Sequence, residues 1–431
     1  MTPKPKRRHP TAPAPIPSSV AADDVSRRDL LTGAATVLGG VLVGGLASPP
    51  AAQSQKADPA VPGPRTPTPT SAVGARSRFV EAPARAPIGE LTGHSSTPLE
   101  DLTGTITPSD LHFERHHAGV PAIDPARHRL VVHGLVERPL EFSLDDLRRF
   151  PQTTRIHFIE CSGNGRAAFR DPRPDMTPQK VDGQTSNSEW TGVALSTVFR
   201  ETGAKAEAKW FLAEGADDCR MTRSIPIEKA WDDALIVWAQ NGEPLRPEQG
   251  FPLRLLLPGW EGNVNVKWLR RLELGREPWM TRWETSKYTD PLINGTARQF
   301  SFDMDAKSII TAPAYPSTLA ARGWHAVSGI AWSGRGRIAR VEVSSDSGRT
   351  WSDATLQAPV LPRAHTRFVH MWEWHGEETI LLSRATDETG YVQPTRQQLV
   401  DTRGAGTDFH FNSIRGWRVQ RDGAVFFHGL T

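Results

Sequence analysis

The chain has 431 residues, with 51 Lys and Arg against 48 Asp and Glu and a formal net charge of +3 at neutral pH. The first 52 residues hold six of those bases and three of those acids, so the remainder is balanced at 45 of each sign, which argues against a nucleic-acid partner. Two cysteines, Cys161 and Cys219, exclude a disulfide framework and a zinc centre built on paired thiolates.

Lys4, Lys6, Arg7 and Arg8 precede Ser26-Arg27-Arg28-Asp29-Leu30-Leu31, after which Thr32 to Ala47 is uncharged, apolar and rich in glycine. This pattern predicts a twin-arginine signal over residues 1–52, export in the folded state, a periplasmic address and no membrane span after processing. The competing reading, a transmembrane anchor, calls for roughly 20 strongly apolar residues. This stretch is shorter and interrupted by glycine. Residues 53–90 are dominated by Pro, Ala, Thr and Ser and predict an extended linker, since they offer little to bury.

Residues 91–293 predict a mixed α and β domain. His128 to Val136, Arg155 to Glu160, Lys209 to Ala213, Ala234 to Ala239, Leu253 to Leu257 and Val264 to Leu274 read as strands, being apolar or β-branched between Gly, Pro or Asn. Leu144 to Phe150, Leu195 to Thr202 and Pro226 to Trp231 have helical spacing. From 294 to 431 the texture changes to short alternating runs: Trp324 to Trp332, Ile338 to Ser344, Thr350 to Leu356, Arg367 to Trp374 and Thr379 to Thr386, with Ser345-Asp346-Ser347-Gly348 as a hairpin turn. The expected class is α+β followed by an immunoglobulin-like β-sandwich, whose default role is association.

Chemistry concentrates around Arg155-Ile-His-Phe-Ile-Glu-Cys161-Ser-Gly-Asn-Gly-Arg166, where an apolar strand delivers a thiol to a Gly-rich loop ending in arginine. On these residues alone Cys161 is either a reactive thiolate or a buried small hydrophobe. Five further segments accompany it: Leu111-His-Phe-Glu-Arg115-His116-His117-Ala-Gly-Val-Pro121, Glu189-Trp-Thr-Gly-Val193, Glu214-Gly-Ala-Asp217, the run from Asn241-Gly-Glu-Pro244 through Gln249-Gly-Phe-Pro-Leu-Arg254, and Asn265-Val-Lys267-Trp268.

In this order, these motifs resemble the molybdopterin domain of the sulfite oxidase family. With the sandwich, the resemblance covers the chain from about Leu91 onward. Within the family the segments look most like the molybdenum subunit of bacterial thiosulfate-oxidising (Sox) systems. The resemblance implies a molybdenum-molybdopterin cofactor with Cys161 as the protein's metal ligand, a soft thiolate suited to that ion. It implies Arg115 and Arg166 as forked donors to an oxyanion and Tyr288 as a hydrogen-bond partner of the transferred or substrate oxygen. It assigns Phe113, Arg115, His117, Asp217, Gln249, Arg254, Asn265 and Lys267 to the cofactor. Taken singly, these residues also admit bland readings, as solvated arginines, a packed tyrosine or structural polar groups.

Arg115-His116-His117 stands where the family commonly has Arg-Asn-His, and Gln249 stands where some members have histidine. A polar insert, Asp171 to Ser188, is expected to rim the pocket and to shift the substrate from free sulfite towards carrier-bound sulfane sulfur. The chain contains no Cys-x-x-Cys-His for covalent haem, so a separate c-type cytochrome is expected to take the electrons, in a homodimer or a heterotetramer with that cytochrome. The implied activity is oxidation of sulfite or a bound sulfane with water as oxygen source. Two alternatives stay open: a molybdopterin reductase of sulfoxide-type substrates, and a non-catalytic export partner.

Overall fold

Two five-stranded sheets build the first half of the computed structural model, which describes residues 81–85 and 92–429. The predicted export signal and most of the linker lie outside these residues. One sheet has the order Glu243–Pro244, Leu235–Gln240, Thr185–Ala194, Gln152–Glu160, with Arg254–Leu256 also paired to Leu235–Gln240. The other runs Leu140–Phe142, Leu130–Gly134, Leu269–Gly275, Trp210–Gly215, Thr222–Pro226, and its Leu130–Gly134 and Leu269–Gly275 strands are parallel. Alternation along the Leu130–Gly134 strand turns Leu130 and Val132 to the same face, where both are buried with Phe211, Ile236, Leu255 and Leu272 in one apolar core.

Helices here are short and locally specified. The Leu144–Arg148 helix starts at Ser143, which forms a capping box with Asp146. Leu195–Thr202 buries Leu195, Val198, Phe199 and Thr202 on one face, and Gly203 ends it in the left-handed region at φ 67°. The third helix expected from the sequence forms at Ile227–Asp232, one residue beyond its predicted frame.

The second half is a sandwich of two antiparallel sheets. One has the order Lys307–Ala312, Gly323–Trp332, Thr366–Trp374, Thr355–Gln357; the other has Ser352–Asp353, Ile338–Ser344, Thr379–Asp387, Gly416–Val419, Val425–His428. The architecture is thus the expected α+β domain followed by an immunoglobulin-like sandwich. The hairpin across Ser345 to Gly348 forms, with Glu342 opposite Asp353.

Three predicted elements differ. The run Val264 to Leu274 is not one strand: Gly262–Val264 is a 3-10 turn, Trp268 takes φ 53°, and the strand begins at Leu269. Thr350 to Leu356 splits between the two sheets, because the chain crosses from one face of the sandwich to the other at Ala354. The Asp171 to Ser188 segment is less a rim than a wedge. Met176 and Val181 are buried with Phe158 and Leu99 in the same core as Trp332, Val341 and Trp417 of the sandwich. Its Pro178–Asp182 helix is capped by Thr177, and its last residues join the Thr185–Ala194 strand. Among the described residues no helix is long and apolar enough to cross a membrane.

Candidate active site

The Gln152–Glu160 strand pairs along its whole length with Thr185–Ala194, and its burial rises from its exposed start to Phe158, Ile159 and Glu160. The ladder continues one step further, Cys161 N donating to the Gln184 carbonyl at 3.0 Å. There the backbone turns: Asn164 N donates to the Cys161 carbonyl at 2.8 Å, and Gly165 takes φ 88°. A Cβ on Gly165 would lie 2.7 Å from Asp182 Oδ1, so this position needs glycine for space as well as for conformation. The thiol is presented at the head of a narrow cavity.

That cavity brings together Phe113, Arg115, His117, Cys161, Asp217, Gln249, Arg254, Asn265, Lys267 and Tyr288, which lie far apart along the sequence. Arg166 lines a wider vestibule of about 940 Å³ that meets the narrow cavity at Arg115, His117, Cys161 and Tyr288. Gln179, Lys180, Gly183 and Gln184 of the Asp171 to Ser188 segment also face this vestibule, so part of the wedge does reach the rim.

A hydrogen-bonded chain crosses the junction of the two spaces. Arg115 Nη2 lies 3.2 Å from His117 Nδ1, and His117 Nε2 lies 2.8 Å from the Tyr288 hydroxyl. Burial, reinforced by Arg115, lowers the His117 pKa to about 4, so the ring is neutral: Nδ1 accepts from the guanidinium and Nε2–H donates to the Tyr288 hydroxyl, whose own proton stays available. Burial raises the Tyr288 pKa, keeping its hydroxyl protonated. Tyr288 is held at φ 48° between the Arg223 guanidinium, 5.3 Å over its ring, and Phe409.

The floor of the narrow cavity is cationic, and among the described residues no carboxylate lies within ion-pair distance of its two bases. Arg254 is buried and donates only to carbonyl groups, those of Gln249 at 2.9 Å and Asn265 at 3.2 Å and the Gln249 side chain; its Nε has no partner. Lys267 Nζ donates to the Glu248 carbonyl at 2.8 Å. Burial pulls the Arg254 pKa down to about 9, and burial together with Arg254 pulls Lys267 down to about 7. Two such cations side by side are costly unless an anion joins them.

Burial raises the Cys161 pKa, opposed by the Gly163 amide, Arg115 and Arg166. A thiol kept protonated is a poor nucleophile but becomes a thiolate when a metal takes the proton's place. Among the described residues no three His, Cys, Asp or Glu side chains converge for a metal. A metal at Cys161 therefore has to bring most of its ligands with it.

Three expected residues are engaged by the protein itself. The Asn265 side chain is spent on its own loop, accepting from Leu257 N at 2.7 Å and donating to the carbonyls of Trp260 and Glu261. It shapes the turn that carries Lys267. Gln249 donates to the Phe113 carbonyl at 3.0 Å and so ties two walls of the cavity together. Arg166 donates to the Asp408 carbonyl and stacks 5.3 Å from the Phe409 ring.

Sequence reasoning missed the contribution of the second half, since Asp408 and Phe409 line the vestibule. It also missed Arg223, fully buried among Glu261, Glu284 and Asn263. A lone arginine in the short Thr222–Pro226 strand was the available signal.

A model of the oxidoreductase molybdopterin binding domain matches residues 117–283, and one of the Mo-co oxidoreductase dimerisation domain matches residues 298–415. Sulfite oxidase of Gallus gallus is 32% identical over 67% of this chain and 68% of its own length. The chain belongs to the sulfite oxidase family of molybdopterin oxidoreductases. NADH nitrate reductases are similar too: that of Ulva prolifera is 31% identical over 70% of this chain, which spans 39% of the relative's length. Among solved structures, the sulfane dehydrogenase SoxCD from Paracoccus pantotrophus matches with a TM-score of 0.79 and 42% identity, over 83% of this chain and 95% of the other.

The cofactor of this family is molybdenum carried by molybdopterin. The cavity fits it on physical grounds. Its unpaired Arg254 and Lys267 suit a phosphate-bearing anion. Gly163 and Gly262 keep the space beside the thiol clear: a Cβ on Gly163 would stand 3.9 Å from the sulfur, and one on Gly262 3.4 Å from the Cys161 Cα.

Proposed function

We propose that this family member is a periplasmic dehydrogenase that oxidises sulfite, or a sulfane sulfur presented on a carrier, with water as the oxygen source and a c-type cytochrome as acceptor. The observation that carries the reading is the cationic vestibule ending at Cys161. Arg115, Arg166, Arg170, Lys180, Arg282 and Lys287 all line it, and Asp408 is the one carboxylate on its lining among the described residues. Such a funnel draws in anions. Its volume of about 940 Å³ exceeds what sulfite needs, which supports admission of a carrier segment as well. The likeness to a sulfane dehydrogenase over nearly its whole length supports the same choice.

Cys161 would hold the metal, and Arg254, Lys267, His117, Asp217 and the Phe113 and Asn265 walls would hold the pterin and its phosphate. When bound, the group supplies a two-electron redox centre and the transferable oxygen. The remaining work belongs to the chain's own residues. Arg115 and Arg166 hold the anion's oxygens with the N–H groups they do not spend on protein carbonyls and His117, leaving its sulfur lone pair facing the reacting centre at Cys161. The Tyr288 hydroxyl, fixed by His117, donates to oxygen at that point. Sulfite and water yield sulfate, two protons and two electrons, and the electrons leave singly to two cytochromes. The sandwich would pair two copies of the chain.

Sulfite with ferricytochrome c, set against methionine sulfoxide or nitrate with a reduced dye, tests the direction of the reaction. Sulfite-dependent cytochrome reduction is expected. Turnover confined to the reductive assays, or no turnover from a colourless protein, would remove this reading.

A further inference from the structure

Beneath the Cys161 loop lies a buried charged cluster that joins the two halves. Glu160 and Asp182 come from the first half, and Lys307 and Arg415 from the second; none is more than 3% exposed. Lys307 Nζ contacts Glu160 Oε1 at 3.1 Å and also Asp182, and Arg415 Nε lies 3.7 Å from Asp182. Trp332 Nε1 donates to Glu160 Oε2 at 2.7 Å. The loop is fastened to the same two residues, to the carboxylate of Glu160 and the backbone of Asp182. Asn164 Nδ2 donates to Glu160 Oε1 at 2.9 Å and to the Asp182 carbonyl at 3.0 Å, while its Oδ1 accepts from Gln184 N. Glu160 is the residue before the thiol, and Gly165 packs against Asp182 and Arg415.

A buried pair of ion pairs is a poor source of stability, because desolvation cancels most of the attraction. It does fix geometry, since moving one member strands a partner charge. A well-packed apolar joint like the nearby Met176, Val181, Trp332 contact would hold the halves together without it.

We propose that Lys307 and Arg415 are positioning residues for the active site: through Glu160, Asp182 and Asn164, the second domain sets where the Cys161 sulfur points. The sandwich is then part of the catalytic apparatus as well as an assembly module. The inference rests on Cys161 binding the metal, so wild-type protein lacking molybdenum would defeat that reading before this one is tested.

The test uses the purified holoenzyme with Lys307→Met, Lys307→Arg and, as a control for loss of stability alone, Val341→Ala in the sandwich core. Lys307→Met is expected to lower kcat on the order of 10-fold to 100-fold, as misplacement of a reacting centre does. KM should change much less, and the paramagnetic resonance of the Mo(V) state should shift. Lys307→Arg should recover both, and Val341→Ala should lower Tm while leaving both as in wild type. Wild-type resonance and kcat in Lys307→Met, whatever its Tm, overturn the proposal. Should Lys307→Met not fold, Asn164→Ser breaks the same link within the loop with the cluster's charges intact. Its resonance and kcat must shift likewise, and wild-type values there overturn the proposal equally.

Discussion

The charges of the sandwich and those of the pocket follow opposite rules. In the sandwich, Glu342 takes both arms of Arg384, at 2.8 and 3.0 Å, with Arg340 alongside, and Asp305 joins Arg335 to Arg403. In the pocket, Arg115, Arg254 and Lys267 have no carboxylate within ion-pair distance among the described residues, and make do with carbonyls and an imidazole. The first arrangement is complete in itself. The second is a fold that stays short of anions until cofactor and substrate supply them, which is how a binding site differs from a structural network built of the same residue types.

The largest effect that would sharpen this contrast is at the thiol. Cys161→Ser should lower turnover by more than about 100-fold, the cost already attached to outer-shell partners of a bound metal, with an unchanged far-ultraviolet circular dichroism spectrum. Full activity would break the ligand assignment. Next, Lys267→Met should lower the molybdenum content of purified protein and yet raise the Tm of cofactor-free protein by about 3 °C, since it removes a buried cation that makes no ion pair and is only partly offset by Glu114, Asp217 and Glu248. A lysine with a structural role would give the reverse, a lower Tm with cofactor retained. Tyr288→Phe should cost on the order of 10-fold in kcat, the worth of one hydrogen bond made at the reacting oxygen.

Stability against pH probes the seam between the halves. His365 is buried between Phe158 and Trp332, and burial lowers its pKa to about 3. The unfolded chain therefore takes up the proton first, so stability is full above the ordinary histidine pKa and falls as pH drops towards 3. His365 alone should contribute a loss on the order of 2 kcal/mol between pH 7 and pH 5, and His365→Gln should flatten that part of a Tm-against-pH profile. The smallest effect belongs to the sandwich surface: Arg340→Ala should change stability by less than about 1 kcal/mol and activity not at all.

Much of the first half was legible because its strands and helices are short, apolar in period and bounded by Gly, Pro or capping residues, as at Ser143 and Gly203. The pocket residues were legible as motifs, each adjacent in sequence to a strand end. What was hidden is long-range. Periodicity places Met176 and Val181 on no particular core, and the wedge they form depends on a sandwich that comes much later in the chain. The left-handed turn at Trp268 breaks what reads as a continuous strand, because Lys267 has to face the cavity. Arg166 meets Asp408 across 242 positions, and Lys307 is one lysine in an otherwise ordinary strand. Neither contact leaves a local trace.

The central question is whether the unpaired pocket holds its anionic metal cofactor. Elemental analysis and visible absorption of protein purified from a host that makes molybdopterin measure this together. Stoichiometric molybdenum, with a thiolate-to-metal absorption band that sulfite bleaches and Cys161→Ser abolishes, is the predicted result. A colourless protein without molybdenum, or a band indifferent to Cys161, would contradict it.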